Sequence, residues 1–261
     1  MDILSRRANT LSGKDWLKNS ISIWGDDIVK TKDEKTLKHP ALFPESLVSK
    51  LLASFLNGFN KCVLDPFLGS GSTLVAACKL QHYGLGFEIY KDFIDIAKKR
   101  LESFDKQYAI YNDSALNISK YLEKESVDIV ITSPPYWNIL NRKRTADAKN
   151  IRTYGNNDVD LGNIENYEEF IGQLINIIKE THTVLKPKSY CIINIMDIRV
   201  KDRLYTLHSD IYAKLQLFGF KLDDIIIWDR RRDYNNLRTL GYPYKFRINR
   251  VHEYLLIFQR D

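Results

Sequence analysis

The sequence predicts an α/β fold built on a mainly parallel sheet, and three observations carry that prediction. Short apolar runs alternate with amphipathic helical stretches along most of the chain. Two of those runs end in turns rich in glycine or proline, where such sheets place their ligands. The chain is also long enough, at 261 residues, to bury one full core.

The elements follow in order. Residues 1–38 are polar, with Trp16, Leu17, Ile21, Ile23 and Trp24 as apolar anchors, and read as an arm packed on the domain. His39-Pro-Ala-Leu-Phe-Pro44 is a stiff loop because its prolines fix φ. Pro44 opens a helix whose Leu47, Val48, Leu51, Leu52 and Phe55 share one face. Strands are expected at 62–64, 83–89, 109–111, 127–132, 190–196, 220–228 and 251–259. Helices are expected at 72–80, 93–104, 167–185 and 204–217, with a helical turn at 115–122 and a plain turn at Lys186-Pro-Lys-Ser189. The stretch 138–165 has no apolar periodicity, and a loop of that length is uncommon unless it has a function.

Composition narrows the classes. The 44% hydrophobic and 28% charged fractions are those of a soluble globular chain. No apolar stretch approaches the roughly 20 residues of a membrane span. Met1-Asp-Ile-Leu-Ser-Arg-Arg lacks the apolar core of a secretory signal, so a cytoplasmic setting is expected. Cys62, Cys78 and Cys191 read as free thiols in a reducing compartment, and no His/Cys spacing suggests a metal site. The net charge is +6, and two short segments together carry more than that excess. Residues 229–250 carry seven basic side chains (Arg230, Arg231, Arg232, Arg238, Lys245, Arg247, Arg250) against two acids. Residues 142–152 carry five (Arg142, Lys143, Arg144, Lys149, Arg152) against one. Both are interleaved with Tyr, Asn or Gly, a mixture suited to a phosphate backbone with bases beside it.

The first special turn is Val63-Leu-Asp-Pro-Phe-Leu-Gly-Ser-Gly-Ser-Thr73. Its glycines permit close approach of backbone to ligand, and Asp65 puts a carboxylate at the strand end. A phosphate would want a lysine here and there is none; an acid favours a cationic ligand such as S-adenosyl-L-methionine, with its ammonium and sulfonium. Glu88, at the end of the next strand, stands where such sites place a ribose-hydroxyl acceptor. Asn112-Asp113-Ser114, after the third, is a candidate partner for the adenine amine.

The second is Thr132-Ser-Pro-Pro-Tyr-Trp137. Consecutive prolines remove donors and aim carbonyls in fixed directions. The Ser133 hydroxyl and Pro134 carbonyl are therefore acceptors for an exocyclic amine, and Tyr136 offers a ring on which a base can stack. Trp137 reads either as core or as facing the base.

On these residues the chain resembles the bacterial DNA amino-methyltransferases. Asp65-Pro-Phe-Leu-Gly-Ser-Gly71 is similar to their cofactor motif and Ser133-Pro-Pro-Tyr136 to their catalytic motif. His39-Pro-Ala-Leu-Phe-Pro44 is similar to the segment that closes over the methionine, and His252-Glu-Tyr-Leu-Leu-Ile-Phe258 to the closing strand. The cofactor motif precedes the catalytic one, as in a circular permutation of the group with this motif wording. The resemblance implies a Rossmann-like methyltransferase fold over 1–261, a seven-stranded sheet with an antiparallel C-terminal strand. It implies S-adenosyl-L-methionine as cofactor, contacted by Asp65, Phe67, Gly69, Ser70, Gly71, Glu88, Asp113, His39, Pro40 and Phe43. It assigns catalysis to Ser133, Pro134, Pro135 and Tyr136, on double-stranded DNA flipped base by base. The loops 138–165 and 229–250 would contact DNA through Arg142, Lys143, Arg144, Arg152, Arg230, Arg231, Arg232, Arg238, Lys245 and Arg247. Relatives with serine first in the catalytic motif lean towards cytosine N4, so Ser133 implies that target, with adenine N6, RNA methylation or an inactive binding subunit as alternatives. A partner restriction endonuclease, and a monomer or homodimer, complete the expectation.

Overall fold

A computed structural model describes residues 7–37, 42–104, 107–141, 155, 157, 159–233, 237 and 239–261. Its first elements are α1 (Gly13–Asn19), β1 (Ile23–Trp24), α2 (Lys32–Thr36) and α3 (Glu45–Phe55). There follow β2 (Cys62–Asp65), α4 (Ser72–Lys79), β3 (Tyr83–Phe87), α5 (Lys91–Arg100), β4 (Tyr108–Tyr111), α6 (Ile118–Tyr121) and β5 (Val127–Thr132). The second half holds α7 (Tyr167–Val184), β6 (Leu185–Ile195), the hairpin β7 (Ile198–Val200) and β8 (Arg203–Tyr205), α8 (Leu207–Leu215), β9 (Phe220–Asp229) and β10 (His252–Arg260).

The main sheet runs β1-β9-β10-β6-β5-β2-β3-β4. Only β10 is antiparallel to its neighbours, β6 and β9. Among the described residues this sheet has eight strands rather than the expected seven, because Ile23 and Trp24 pair in parallel with Ile227 and Trp228 at the edge. Two residues are too few to show strand periodicity in sequence.

Alternation along the central strands sorts their side chains into two layers. Val63, Ile129, Ile131, Ile192, Leu255 and Ile257 pack under α3 and α4 with Leu47, Leu51, Ala76 and Trp24. Leu64, Val130, Cys191, Ile193, Leu256 and Phe258 face α7 and α8, against Phe170, Leu174, Ile178 and Ile211. Each fully buried side chain of this kind contributes roughly 1.5–3 kcal/mol. Helices on both faces are what keep a parallel sheet out of water.

Three expected boundaries move. The turn at 186–189 lies inside β6, where Lys188 takes φ 63° and the pairing with β5 slips register between Val127 and Ile129. The helix expected from Leu204 begins at Leu207, because Arg203–Tyr205 pairs with Ile198–Val200. Of the five anchors of the arm, Trp24 is buried, whereas Trp16, Leu17, Ile21 and Ile23 are exposed. The arm is held instead by polar contacts: the buried Glu34 caps α2 and accepts from the Glu45 N–H at 2.8 Å.

The chain leaves β2 for β3 and β4, then crosses back to place β5 on the other side of β2. A crevice opens at the carboxyl ends of strands where the order reverses in this way, and ligands bind there. Both special turns, after β2 and after β5, lie on that edge.

Candidate active site

A cavity of about 840 Å³, its open mouth included, lies at this crevice. It is lined by the loop Asp65–Ser70, by Glu88 and Tyr90 after β3, by Asp113–Ala115 after β4, and by Ser133 and Pro135 after β5. Phe43, Phe67, Phe87 and Phe93 add apolar walls.

The glycine turn is set by tight packing. Gly71 starts α4 at φ 85°, and a Cβ there would lie 2.8 Å from the Ala97 Cβ. The Gly69 N–H donates to Glu88 Oε2 at 2.8 Å, and the Tyr90 N–H to Oε1 at 2.8 Å. Burial outweighs those bonds and pushes the Glu88 carboxyl up to about 7. Asp113 sits differently. It accepts from the Asn117 side chain, Tyr121 OH and the Ser114 N–H, and these hold its carboxyl below the usual range.

Asp65 is buried and both its oxygens are engaged within the protein. Oδ1 accepts from the Phe67 N–H at 3.0 Å and Thr132 Oγ1 at 2.7 Å; Oδ2 accepts from Thr73 Oγ1 at 2.6 Å. Burial raises its pKa against those three bonds. It therefore ties β2, α4 and β5 together beneath the cavity floor.

The second turn is held from across the sheet. Tyr136 OH donates to Glu253 Oε2 at 2.6 Å. Asn194 Nδ2 reaches Tyr136 OH at 2.7 Å, Glu253 Oε2 at 2.5 Å and Ser133 Oγ at 3.3 Å. Arg230 pairs with Glu253 Oε1 and lies 4.7 Å from the Trp228 ring centroid. Burial, followed by the Glu253 charge, raises the Tyr136 pKa far above its ordinary value, so the phenol stays protonated. Trp137 is core, packed between Tyr167 and Tyr205 at 5.2 and 4.9 Å.

The expected site residues thus divide. The crevice gathers Phe43, Asp65, Phe67, Gly69, Ser70, Glu88, Asp113, Ser133 and Pro135 around one space. Gly71 and Pro134 stand beside it in the same turns, and Tyr136 lies on the Glu253 side. Arg230, expected to contact DNA, is also a member of the Tyr136 network through Glu253. Arg231 and Arg232 are exposed but bonded to Asp229 and Asp26. Lys245 and Arg247 both approach Asp202. His39, Pro40, Arg142, Lys143, Arg144, Arg152 and Arg238 lie outside the described residues.

Sequence reasoning missed Asn194, Glu253, Tyr90 and Asp160. Asn194 follows the apolar run Cys191–Ile193 and Glu253 precedes the apolar run Leu255–Phe258, and a buried polar side chain beside such a run is a legible signal of a paired polar group. Asp160 belongs to a stretch read wholly as a recognition loop, yet it is buried, lines the cavity and accepts from Tyr90 OH at 2.7 Å. No pattern in 138–165 marks that return.

The donor set tests which ligand the cavity suits. Asp65, Glu88, Asp113 and Asp160 line it, and among the described lining residues there is no Lys, Arg or His. That repels a polyphosphate and favours a cation with hydroxyls and a flat ring, which the ammonium, sulfonium, ribose and adenine of S-adenosylmethionine supply. Among the described residues no group of His, Cys, Asp and Glu could hold a metal ion, and no helix is long and apolar enough to cross a membrane.

Comparison with known proteins agrees. The solved structure of TrmN from Thermus thermophilus superposes on 85% of this chain and 50% of its own with a TM-score of 0.55 at 12% identity. A SAM-dependent O-methyltransferase from Thermotoga maritima covers 87% of this chain and 69% of its own, TM-score 0.50, at 13% identity. Those likenesses show the fold. Among curated proteins, the type II methyltransferase M.BglII of Bacillus subtilis is 37% identical over 87 residues, 33% of this chain and 24% of that protein. M2.DpnII of Streptococcus pneumoniae is 37% identical over 87 residues, 33% of this chain and 32% of that protein. The match spans about a third or less of either relative's length. A family model described as DNA methylase, of the N6/N4 amino type, matches residues 4–99 and 127–261, which include both special turns and the strand bearing Glu253. With that match over most of its length, on a methyltransferase fold with an acid-lined crevice, the chain belongs to the S-adenosylmethionine-dependent N6/N4 DNA methylase family.

Proposed function

We propose that this protein is a site-specific DNA methyltransferase that methylates the exocyclic N4 amine of cytosine in duplex DNA, on a base swung out of the helix. The observation that carries the reading is the meeting of the acid-lined crevice with Ser133 and Pro135 at one edge of the sheet. When bound, S-adenosylmethionine supplies a methyl group made electrophilic by its sulfonium.

The chain's residues divide the remaining work. Glu88 accepts the ribose hydroxyls, Asp113 the adenine amine, and the aromatic walls cover the ring. Ser133 Oγ and the Pro134 carbonyl accept hydrogens of the target amine. An amine conjugated to a base is a poor nucleophile, and two fixed acceptors favour its pyramidal, reactive form. Tyr136 stacks on the displaced base, worth roughly 1–3 kcal/mol against a flipping cost of a few kcal/mol. Its hydroxyl is committed to Glu253, so the ring orients the base while the proton lost by the amine passes to water. The exposed Arg231 and Arg232, with the segment 142–152, hold the backbone phosphates. In this reading 1–261 is one catalytic domain with loops 138–165 and 229–250 as its DNA contacts, and it works beside a restriction endonuclease, a role to which the type II naming of the relatives lends support.

The test is incubation with unmethylated duplex DNA and methyl-labelled S-adenosylmethionine, followed by digestion to nucleosides. Labelled N4-methylcytosine is the expected product. N6-methyladenine would keep the enzyme and overturn the assignment drawn from Ser133, and no labelled DNA would overturn the function.

A further inference from the structure

Ahead of β10, residues 239–251 form a strap that holds large apolar side chains out to solvent. Tyr244, which closes a turn, is 95% exposed, and Phe246 and Ile248 in the stretch that follows are 93% and 71% exposed. The residues between these side chains are pinned. Arg247 bonds Asp202 in the β7–β8 turn, and Lys245 Nζ lies 3.5 Å from the same carboxylate. The strap starts in a tight turn in which the Tyr244 and Lys245 N–H groups both donate to the Gly241 carbonyl, at 2.9 and 2.8 Å. Gly241 takes φ 78°, and a Cβ there would lie 2.1 Å from the Lys245 carbonyl oxygen, so only glycine closes this turn. The rings are therefore held out by built structure.

The chemistry of the strap selects its partner. From 234 to 252 the sequence has four basic residues and no acidic one. At its foot Arg247 bonds the Asp202 carboxylate and Arg199 donates to the Asp202 carbonyl at 3.1 Å, so two guanidinium groups meet there. A protein-binding core would be depleted of charge. Exposed rings set among cations suit stacked bases joined by phosphates. The strap also rises from the sheet edge that carries Ser133 and Tyr136, its feet joined by the Arg230 N–H donating to the Val251 carbonyl at 2.8 Å.

We propose that Tyr244 and Phe246 form a base-stacking wedge that enters duplex DNA beside the displaced nucleotide, with the cationic foot on the flanking phosphates. The inference rests on the reading that this protein methylates DNA. Its test uses a 30-base-pair duplex carrying the site that the wild-type protein methylates, read from the labelled DNA. Dissociation constants are measured across a salt series for wild type, Tyr244→Ala/Phe246→Ala, Phe246→Leu and Phe246→Trp. These positions are almost wholly exposed, so the variants keep the fold.

The double alanine variant is expected to lose roughly 5- to 150-fold in affinity per ring that stacks, at every salt concentration, with the salt slope unchanged. Phe246→Trp should retain affinity, its added emission quenched by DNA, while Phe246→Leu should stay weak. Unchanged affinity in the double variant would overturn the wedge and leave the methyltransferase reading intact. Full affinity in Phe246→Leu would overturn base stacking in favour of generic apolar docking. Loss of self-association with DNA affinity intact would make the face a contact between copies of the chain. A wild-type protein that labels no DNA would overturn the underlying reading itself.

Discussion

Removing the Tyr136 hydroxyl isolates what the polar network contributes. In Tyr136→Phe the ring remains but its bond to Glu253 Oε2, 2.6 Å in a buried setting, is lost. A hydrogen bond to a charged group is worth about 1.5–3 kcal/mol, or roughly 10- to 150-fold. Glu253 keeps Arg230 and Asn194 as partners, so the fold should tolerate the change. The loss should fall on kcat for DNA methylation, because a ring that drifts by about 1 Å presents the base badly to the acceptors. Cofactor affinity should not move, since Tyr136 does not line the crevice. Glu253→Gln removes the charge at nearly constant size and should cost a similar factor. The decisive assay is the double-mutant cycle on kcat, with thermal unfolding and cofactor titration as controls. If the two residues act as one device, the double variant should be little worse than either single one, a coupling of about 1.5–3 kcal/mol. Strictly additive losses, or equal losses in cofactor affinity, would refute the reasoning.

Three further outcomes are expected. Glu88 is raised from 4.5 to about 7 by burial, so the folded state resists its ionisation. Its contribution to the stability of the ligand-free protein is present below pH 4.5 and lost as pH rises through 7, on the order of 3 kcal/mol. Affinity for S-adenosylmethionine should rise over the same window, because the hydroxyls prefer the carboxylate; Glu88→Gln should flatten both profiles in calorimetry, and an unaltered profile would contradict the assignment. Asp65→Ala strands the donors of Thr73, Thr132 and Phe67 in a buried place and should lower the unfolding free energy by about 3 kcal/mol, seen as a reduced Tm together with weaker cofactor binding. The three consecutive arginines should separate by assay: Arg230→Ala should reduce kcat as Glu253→Gln does, whereas Arg231→Ala/Arg232→Ala should weaken DNA binding and flatten its salt dependence without changing kcat.

The sequence by itself determined the layers and the two turns. The apolar run Val127-Asp-Ile-Val-Ile and the helical spacing of Leu47, Val48, Leu51 and Leu52 are local patterns, and local patterns survive in one dimension. Asp-Pro-Phe-Leu-Gly-Ser-Gly and Ser-Pro-Pro-Tyr were legible for the same reason: their backbone chemistry is contained within a few residues. What those turns touch was not. Only the tertiary structure decided that Asp65 spends both oxygens on the protein, that Asp160 returns to the crevice, and that Arg230 serves Tyr136. Tyr136 and Glu253 are 117 residues apart, and their meeting depends on the pairing of Leu255 with Asn194 in the antiparallel register of β10 on β6. Slipping that register by one residue would turn Glu253 to the opposite face of the sheet. Register is a property of the assembled sheet, and no window of sequence contains it.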